Sequence, residues 1–380
     1  MDFALTDEQK MIQEAAREFA EKEIAPVAAH HDETRTPPLE LVKKLGELGF
    51  LGMNVSDQYG GAGLDMVSYI LAVEEISRAC ASTGIIMSVN NSLVCFPIET
   101  YGNEDQKRRY LPKLTKGEWL GAYALSEPGT GSDAANQKTM AVKDGDGYVL
   151  NGTKNFITNG GFADVFVVFA MTAPEKRYKG ITAFIVEKTM PGFAVGKREK
   201  TLGIRASSTV EIVLSDCRVP AANRLGEEGG GFKVAMSTLD GGRVGVAAQA
   251  VGIARAAMEE AVQYAKQRHA FDQPIGSFQA IQWMIANMAT EIDAARLLML
   301  RAAAAKDSGQ RYTTEAAMAK LFASEVAMRA VKDAVQIHGG YGYIAEFAAE
   351  RHYRDAKITE IYEGTSEVQR LVIAQSLMKE

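Results

Sequence analysis

Cysteine is scarce. Cys80, Cys95 and Cys217 are the three in a chain of 380 residues, odd in number and far apart. They suggest no disulfide framework and no Cys-x-x-Cys site, and a reducing compartment fits them. Histidine is nearly as sparse. His30, His31, His269, His338 and His352 form no HExxH or comparable ligand spacing, so no metal site is expected. A basic excess is missing too: 42 Lys+Arg face 48 Asp+Glu, a net charge of −6, which argues against a general nucleic-acid binder. Long apolar runs are also lacking. The longest, Val165–Met171 and the Gly- and Gln-interrupted Val244–Ile253, fall well short of the roughly 20 residues that span a bilayer, so no membrane is expected. The N-terminus, MDFALTDEQKMIQEAAREF, is charged from its second residue and lacks a secretory profile. The expectation is a cytoplasmic protein, or a matrix protein if the chain is a processed mitochondrial one.

At roughly 100–200 residues per domain, the length predicts two or three domains. Three composition zones divide the chain at 1–120, 121–230 and 231–380. The first reads as helices. Thr6–Gln9 offers a capping start, followed by Met11, Ile12, Ala15, Ala16 and Phe19 at helical spacing. Pro26 is expected to close that helix and Pro37-Pro38 to mark the next break. Leu39–Leu48, Asp65–Cys80 and Glu104–Leu114 are further helices, with a glycine loop over Ser56–Gly63. The second zone changes period. Tyr148–Ile157, Val165–Ala170, Ile181–Val186 and Val210–Leu214 are β-branched and aromatic runs separated by turn clusters. With no helices between them, they predict an antiparallel, barrel-like β domain and not a βαβ array. The third zone, rich in Ala, Met, Leu and Glu, predicts bundle-length helices over Gly245–Arg268, Phe278–Asp307, Thr314–His338 and Ser366–Met378. The fold class is α+β: a helical domain, a β domain and a four-helix bundle.

Two stretches fit a dinucleotide fingerprint, Gly129–Ala134 and Gly340–Ala345, and two hits in one chain show how permissive the pattern is. The first is followed by turn residues and a strand where a helix is required, so a Rossmann site is not expected. Leu125–Asp133 (LSEPGTGSD) remains informative. Its small residues and hydroxyls suit either a plain interdomain loop or a backbone cradle for pyrophosphate or flavin oxygens. Strand alternation places Phe156 and Thr158 on one face, where they serve as barrel residues or stack on and address a planar ring. Ile361–Arg370 is the sharpest local site. Ser366 with Gln369 reads as a capping pair, which would start a helix at Glu367. Glu363 then lies just ahead of a helix start, beside the permissive Gly364. It is either a solvated loop carboxylate or a poorly solvated general base. Gln336–Gly340 and Asp240–Arg243 each read as a helix end or as room made for a ligand.

With these residues laid out, the chain resembles the acyl-CoA dehydrogenase family, and within it the short-chain, butyryl-type branch. The resemblance rests on Gly121–Asn136, Leu150–Val168, Leu239–Gly252, Gln263–Met288, Gln336–Gly342 and, most specifically, Arg351–Ala374. It implies non-covalent FAD held by Tyr123, Leu125, Ser126, Gly131 and Ser132 and by Phe156, Ile157 and Thr158. In many members a tryptophan stands where this chain has Phe156. Arg268, Phe271, Gln279, Gln336, Gly339 and Gly340 would hold the diphosphate and adenosine end across a subunit interface of a homotetramer, a dimer of dimers. Thr365 and Glu367 would add contacts at the helix start. The acyl-CoA would lie against Ser132, Asp240, Gly241, Gly242, Arg243 and Gly364.

By the same resemblance, Glu363 is the catalytic base of the YEG motif. It takes the α-proton of a short-chain thioester while the β-hydrogen leaves as hydride for flavin N5, giving a trans-2-enoyl-CoA. The Glu363 backbone N–H and a ribityl hydroxyl would polarise the thioester carbonyl. Electrons would pass on to an electron-transferring flavoprotein. In the long-chain and isovaleryl branches the base comes from the position held here by Gly242, so Glu363 has no competitor. The alternatives are a branched-chain (isobutyryl or 2-methylbutyryl) dehydrogenase, an acyl-CoA oxidase, or a relative that binds flavin or nucleic acid without dehydrogenating.

Overall fold

The computed structural model describes residues 4–378. Helix α1 (Asp7–Phe19) opens on a reciprocal capping box in which the Thr6 side chain accepts from Gln9 N and the Gln9 side chain accepts from Thr6 N. Pro26 does not end this helical path. The chain tightens through a π-helical turn (Ala20–Ile24) and a 3-10 turn (Ala25–Val27), then runs on as α2 (Ala28–Thr34). Proline sits early in the 3-10 turn, where its missing N–H costs little. α3 (Leu39–Glu47), α4 (Met66–Ala79), α5 (Ala81–Ser88), α6 (Phe96–Tyr101) and α7 (Glu104–Thr115) complete the first zone.

The stretch from α5 to α6, joined by a π-helical segment (Val89–Cys95), is absent from the expected helices. Over Ala81–Tyr101 its mean hydropathy reaches 1.3, so this run of 21 residues is long and apolar enough to cross a membrane. It is instead 94% buried inside the protein, enclosed on every side by its neighbours, with its polar side chains, such as Asn90 and Asn91, hydrogen-bonded to backbone around it.

Beside the helices, with one face packed against them, lies an eight-stranded sheet in the order β6-β7-β3-β2-β4-β5-β8, with β1 on β4. Its strands are β1 (Gly121–Ala124), β2 (Met140–Asp144), β3 (Gly147–Ile157), β4 (Val165–Met171), β5 (Ile181–Glu187), β6 (Phe193–Arg198), β7 (Val210–Pro220) and β8 (Arg224–Leu225). Most pairs are antiparallel, but β1 runs parallel to β4, and β2 meets β4 in parallel at Met140 and Met171. The sheet is therefore mixed. The β2–β3 hairpin occupies the crossover that parallel pairing requires, a role usually taken by a helix. β4 is buried on both faces. Val165, Val167 and Phe169 join the core shared with the helices, while Phe166, Val168 and Ala170 join a second core behind the sheet.

The bundle is built on α8 (Gly231–Gln267), α9 (Gln279–Asp307), α10 (Thr313–His338) and α12 (Ser366–Leu377), with α11 (Ala348–Ala356) inserted before the last. α8 starts well before the expected Gly245 and carries Asp240–Arg243 in its interior, so that motif is not a helix end. A short hairpin, β9 (His269–Ala270) with β10 (Gln273–Pro274), separates α8 from α9. Its turn residues Phe271 (φ 53°) and Asp272 (φ 61°) are both left-handed. A two-residue hairpin turn of this kind favours Asp or Gly, which accounts for Asp272.

The first helical layer docks on the bundle through buried charge. Glu74 and Glu75 are wholly buried on α4. Arg255 of α8 and Arg296 of α9 reach Glu74, while Arg17, Arg78 and Arg255 reach Glu75. The arginines hold the Glu75 carboxyl down to about 2 against the opposing effect of burial.

Candidate active site

Glu363 stands in the turn between the 3-10 segment Lys357–Glu360 and α12. Its φ of 55° and that of Gly364, 94°, make two successive left-handed residues. For a glutamate this conformation costs about 1–2 kcal/mol and persists because neighbours hold it. Gln369 Nε2 donates to Glu363 O at 3.2 Å and to Gly364 O at 2.9 Å. Lys320 Nζ, fully buried on α10, donates to Gly364 O at 2.8 Å. A Cβ at position 364 would stand 2.6 Å from Gln369 Nε2, so the turn needs glycine both for its angle and for this approach.

The cap differs from expectation by one residue. Thr365 caps α12, its Oγ1 accepting from Val368 N at 3.3 Å, and the helix begins at Ser366. Gln369, freed from a capping box, serves the turn instead. The preceding side chain, Tyr362, hydrogen-bonds Gln249 Oε1 of α8, and Gln249 Nε2 donates to Ala81 O at 2.9 Å. The turn is thereby tied to α8 and α5.

The Glu363 carboxyl points under α8. Its Oε2 is shielded from solvent and has no hydrogen-bond partner in the chain. A Cβ on Gly242 would lie 1.9 Å from that oxygen and 2.8 Å from Leu93 Cδ2, so any side chain there would have to displace the carboxyl. Burial pushes the Glu363 carboxyl up to about 7, while Lys320 and Arg243 pull in the other direction. Arg243, also buried, is set by its ion pair to Asp240 Oδ1 at 2.7 Å, and Asp240 Oδ2 accepts from Thr313 Oγ1 at 2.7 Å. Glu363, Gly364, Gly242, Arg243 and Asp240 thus converge. Gly241, the next residue on α8, lines an adjoining cavity of about 380 Å³ with Tyr69, Ser92 and Phe96.

The loop after β1 carries Leu125 to Thr139. No helix follows its GTGSDA stretch, so the dinucleotide fingerprint is not built. A Cβ on Gly129 or Gly131 would meet nothing within 4 Å, and Thr130 Oγ1 is buried without a partner. Tyr123, on β1, is buried with its hydroxyl donating to Ala235 O at 3.3 Å. Ser126 is half-buried, and Ser132 is exposed. Phe156 is 64% exposed, Ile157 buried and Thr158 half-exposed. That outward pair does not arise from plain alternation. The ladder is irregular between Lys154 and Ile157, and Phe156 has φ 59°, so a β-bulge re-aims the aromatic ring. An open glycine loop, an orphaned hydroxyl and an exposed aromatic at a bulge fit a planar cofactor with phosphate groups.

A second region lies at the far end of α8. Tyr264, Arg268, His338, Gly339, Gly340, Tyr341 and their neighbours line a cavity of about 450 Å³. His338 stacks on Tyr264 at 4.3 Å, and Arg268 lies over the Tyr341 ring at 5.5 Å. Gln279 and Gln336 are exposed, and Phe271 is 88% exposed. The structure brings Arg268 together with Gly339 and Gly340, and leaves Phe271, Gln279 and Gln336 on the surface of the single chain. Glu367 is exposed on the first turn of α12.

Lys320, Gln249 and the buried pair Glu127–Lys154 carried no assignment from the sequence, and Gln369 was expected as a capping partner of Ser366, not as a support of the turn. Only one signal was available: a lysine inside the alanine-rich stretch Ala316–Ala323, where a solvated face is the ordinary reading.

Comparison with known proteins places this geometry. Family models for the acyl-CoA dehydrogenase N-terminal, middle and C-terminal domains match residues 6–118, 122–217 and 229–378. A short-chain specific acyl-CoA dehydrogenase of Clostridium acetobutylicum is 54% identical, covering 100% of both chains. The structure of butyryl-CoA dehydrogenase from Megasphaera elsdenii superposes with a TM-score of 0.98 at 50% identity, over 100% of both chains. A chain solved in work on the electron transferring flavoprotein of Acidaminococcus fermentans superposes with a TM-score of 0.99 at 52% identity, again over 100% of both.

Proposed function

From a chain that belongs to the acyl-CoA dehydrogenase family, we propose a site in which Glu363 removes the α-proton of a short-chain acyl-CoA. The enzyme is an FAD-dependent short-chain acyl-CoA dehydrogenase, forming the trans-2-enoyl thioester. The observation that carries the role of Glu363 is its shielded, unpartnered Oε2 beneath Gly242. A carboxylate stripped of water and hydrogen bonds is a stronger base than one in solution, and its affinity for a proton sits near neutral pH. The backbone N–H of Glu363 is the donor assigned to the thioester carbonyl, where it acidifies the α-proton. FAD, when bound, supplies the two-electron acceptor for the β-hydrogen.

The flavin-holding residues are Tyr123, Leu125, Ser126, Gly131, Ser132, Phe156, Ile157 and Thr158, with Thr365 and Glu367. Arg268, Phe271, Gln279, Gln336, Gly339 and Gly340 are assigned to the nucleotide end contributed across a subunit interface. The exposure of Phe271 and Tyr343, 88% and 85%, favours a partner copy over this surface, in a homotetramer arranged as a dimer of dimers. Ser132, Asp240–Arg243 and Gly364 are assigned to the acyl-CoA. The physiological acceptor is an electron-transferring flavoprotein, and the domains are 1–120, 121–230 and 231–380.

Anaerobic mixing of the FAD-loaded enzyme with acyl-CoAs of graded length and branching tests this reading. Butyryl-CoA is expected to bleach the flavin fastest. Bleaching only by branched or long acyl-CoAs would overturn the short-chain assignment, and rapid peroxide formation in air would favour an oxidase.

A second expectation concerns pH. The base must be unprotonated, so kcat/KM should rise as pH increases through about 7. Lys320 opposes the effect of burial on Glu363. Lys320→Met removes that cation, so the acid limb should move to higher pH. Arg243 remains as a cation facing the carboxyl, and Tyr69, Tyr123 and Tyr362 are the phenols that sense its charge. An unmoved limb in the pH profile of kcat/KM would assign that titration to another group.

A further inference from the structure

Lys154 lies on β3, two residues before the bulge at Phe156, and its ammonium is completely buried. All three of its donors are used. They reach Leu125 O at 3.1 Å, Glu127 Oε1 at 2.9 Å and Gln137 Oε1 at 2.9 Å. Glu127 is equally committed: its Oε2 accepts from Lys138 N at 2.6 Å and its Oε1 from Thr139 N at 2.9 Å. Asn155 N, beside Lys154, donates to Ser126 O at 2.9 Å. Glu127 and Thr130 exchange a pair of backbone hydrogen bonds at 2.9 and 3.1 Å. The two ends of the 125–139 loop are thus fastened to one ammonium, while Gly129, Gly131 and Ser132 stay exposed between them.

A core of this size has no need of a charge at position 154. A buried ion pair adds little net stability, and apolar residues of similar volume often do as well. What this pair adds is position, because its hydrogen bonds join two segments and reach nothing else. Both segments carry residues assigned above to the flavin, so the inference rests on that assignment.

We propose that Lys154 and Glu127 are positioning residues for the cofactor. They lock the 125–139 loop to the end of β3 before FAD arrives, so that the loop's backbone donors and the Phe156–Thr158 segment form one rigid receptor. Binding then costs little ordering entropy.

The test uses the apoenzyme, FAD titration and amide hydrogen exchange. In Lys154→Met the amides of Thr130, Lys138, Thr139 and Asn155 should lose protection while those of α8 and α10 keep theirs. FAD should bind about 10- to 100-fold more weakly, a loss of the size found when the hydrogen-bonded supports of metal ligands are removed. Its visible spectrum should shift toward that of free flavin. Unchanged affinity and spectrum would overturn the proposal, as would a loss of protection spread through the bundle, which marks a general stabilising role. Should Lys154→Met fail to fold, Glu127→Gln keeps the shape and one acceptor oxygen but offers Lys138 and Thr139 an amide. It should weaken FAD binding to a lesser degree with the same local pattern of exchange, and wild-type affinity there would also overturn the proposal. If the wild-type chain itself fails to bind FAD, the flavin assignment falls and not the locking role.

Discussion

Glu363→Gln should retain FAD and the folded state while losing roughly 10²- to 10⁴-fold in the rate of flavin reduction by butyryl-CoA, the usual contribution of a positioned general base. The amide has nearly the volume of the acid, so the packing under Gly242 is preserved. It cannot take a proton from the α-carbon. The substitution also removes a charge that burial disfavours, so the folded state is not expected to suffer. Stopped-flow reduction of holoenzyme with an intact flavin spectrum is the measurement. A loss of only a few-fold would place the base elsewhere, and the absence of an alternative carboxylate at position 242 makes that outcome decisive.

Gly242→Ala is expected to have the second-largest effect, and its two consequences run in opposite directions. Alanine is favoured over glycine in a helix interior by about 1 kcal/mol. The new methyl, however, would sit 1.9 Å from Glu363 Oε2 and 2.8 Å from Leu93 Cδ2. Something must move, and the carboxylate is the freer partner because Oε2 has no hydrogen bond to hold it. A displacement near 1 Å of a reacting group costs about 10²-fold in rate. The expected result is a protein whose Tm changes little and whose turnover falls about 100-fold. Gly241→Ala supplies the stability reference. Its Cβ would meet only Tyr312 OH at 3.7 Å, so the helix-propensity gain should be felt without opposition. Full turnover in Gly242→Ala would show that the carboxylate does not work where the structure places it.

How much of this was legible beforehand depends on how local each signal is. The Thr6–Gln9 box and the long bundle helices declared themselves through capping or period, and the strands at 165 and 181 through their β-branched and aromatic runs. Ala81–Tyr101 did not, because a helix buried on every side has no polar face to set a rhythm. β1 failed because its four residues, GAYA, are too few and include no β-branched side chain. Gly241-Gly242 read equally as a helix end or as room made for a ligand; they lie inside α8, where packing of Gly242 against Leu93 and Glu363 outweighs the weak propensity of glycine. The parallel pairing of β1 with β4 depends on a contact between residues 121 and 165, beyond the reach of any window. Glu363 and Gly364 were readable as a site through their resemblance to a family motif. The supports around them come from other elements, Lys320 from α10 and Gln249 from α8, and spacing alone connects neither to position 363.

The run of glycines along α8 has one more implication. Side chains at Gly242, Gly245 and Gly252 would collide with Glu363, Ser88 and Glu74 respectively, and at the last two positions the segment that presses in precedes α8 in the chain. Each glycine subtracts about 1 kcal/mol from intrinsic helicity, so this rod is a poor helix by itself and acquires its shape from what it lies on. The segments bearing Ser88 and Glu74 are made first. When the ribosome delivers residues 231–267, their template has already emerged.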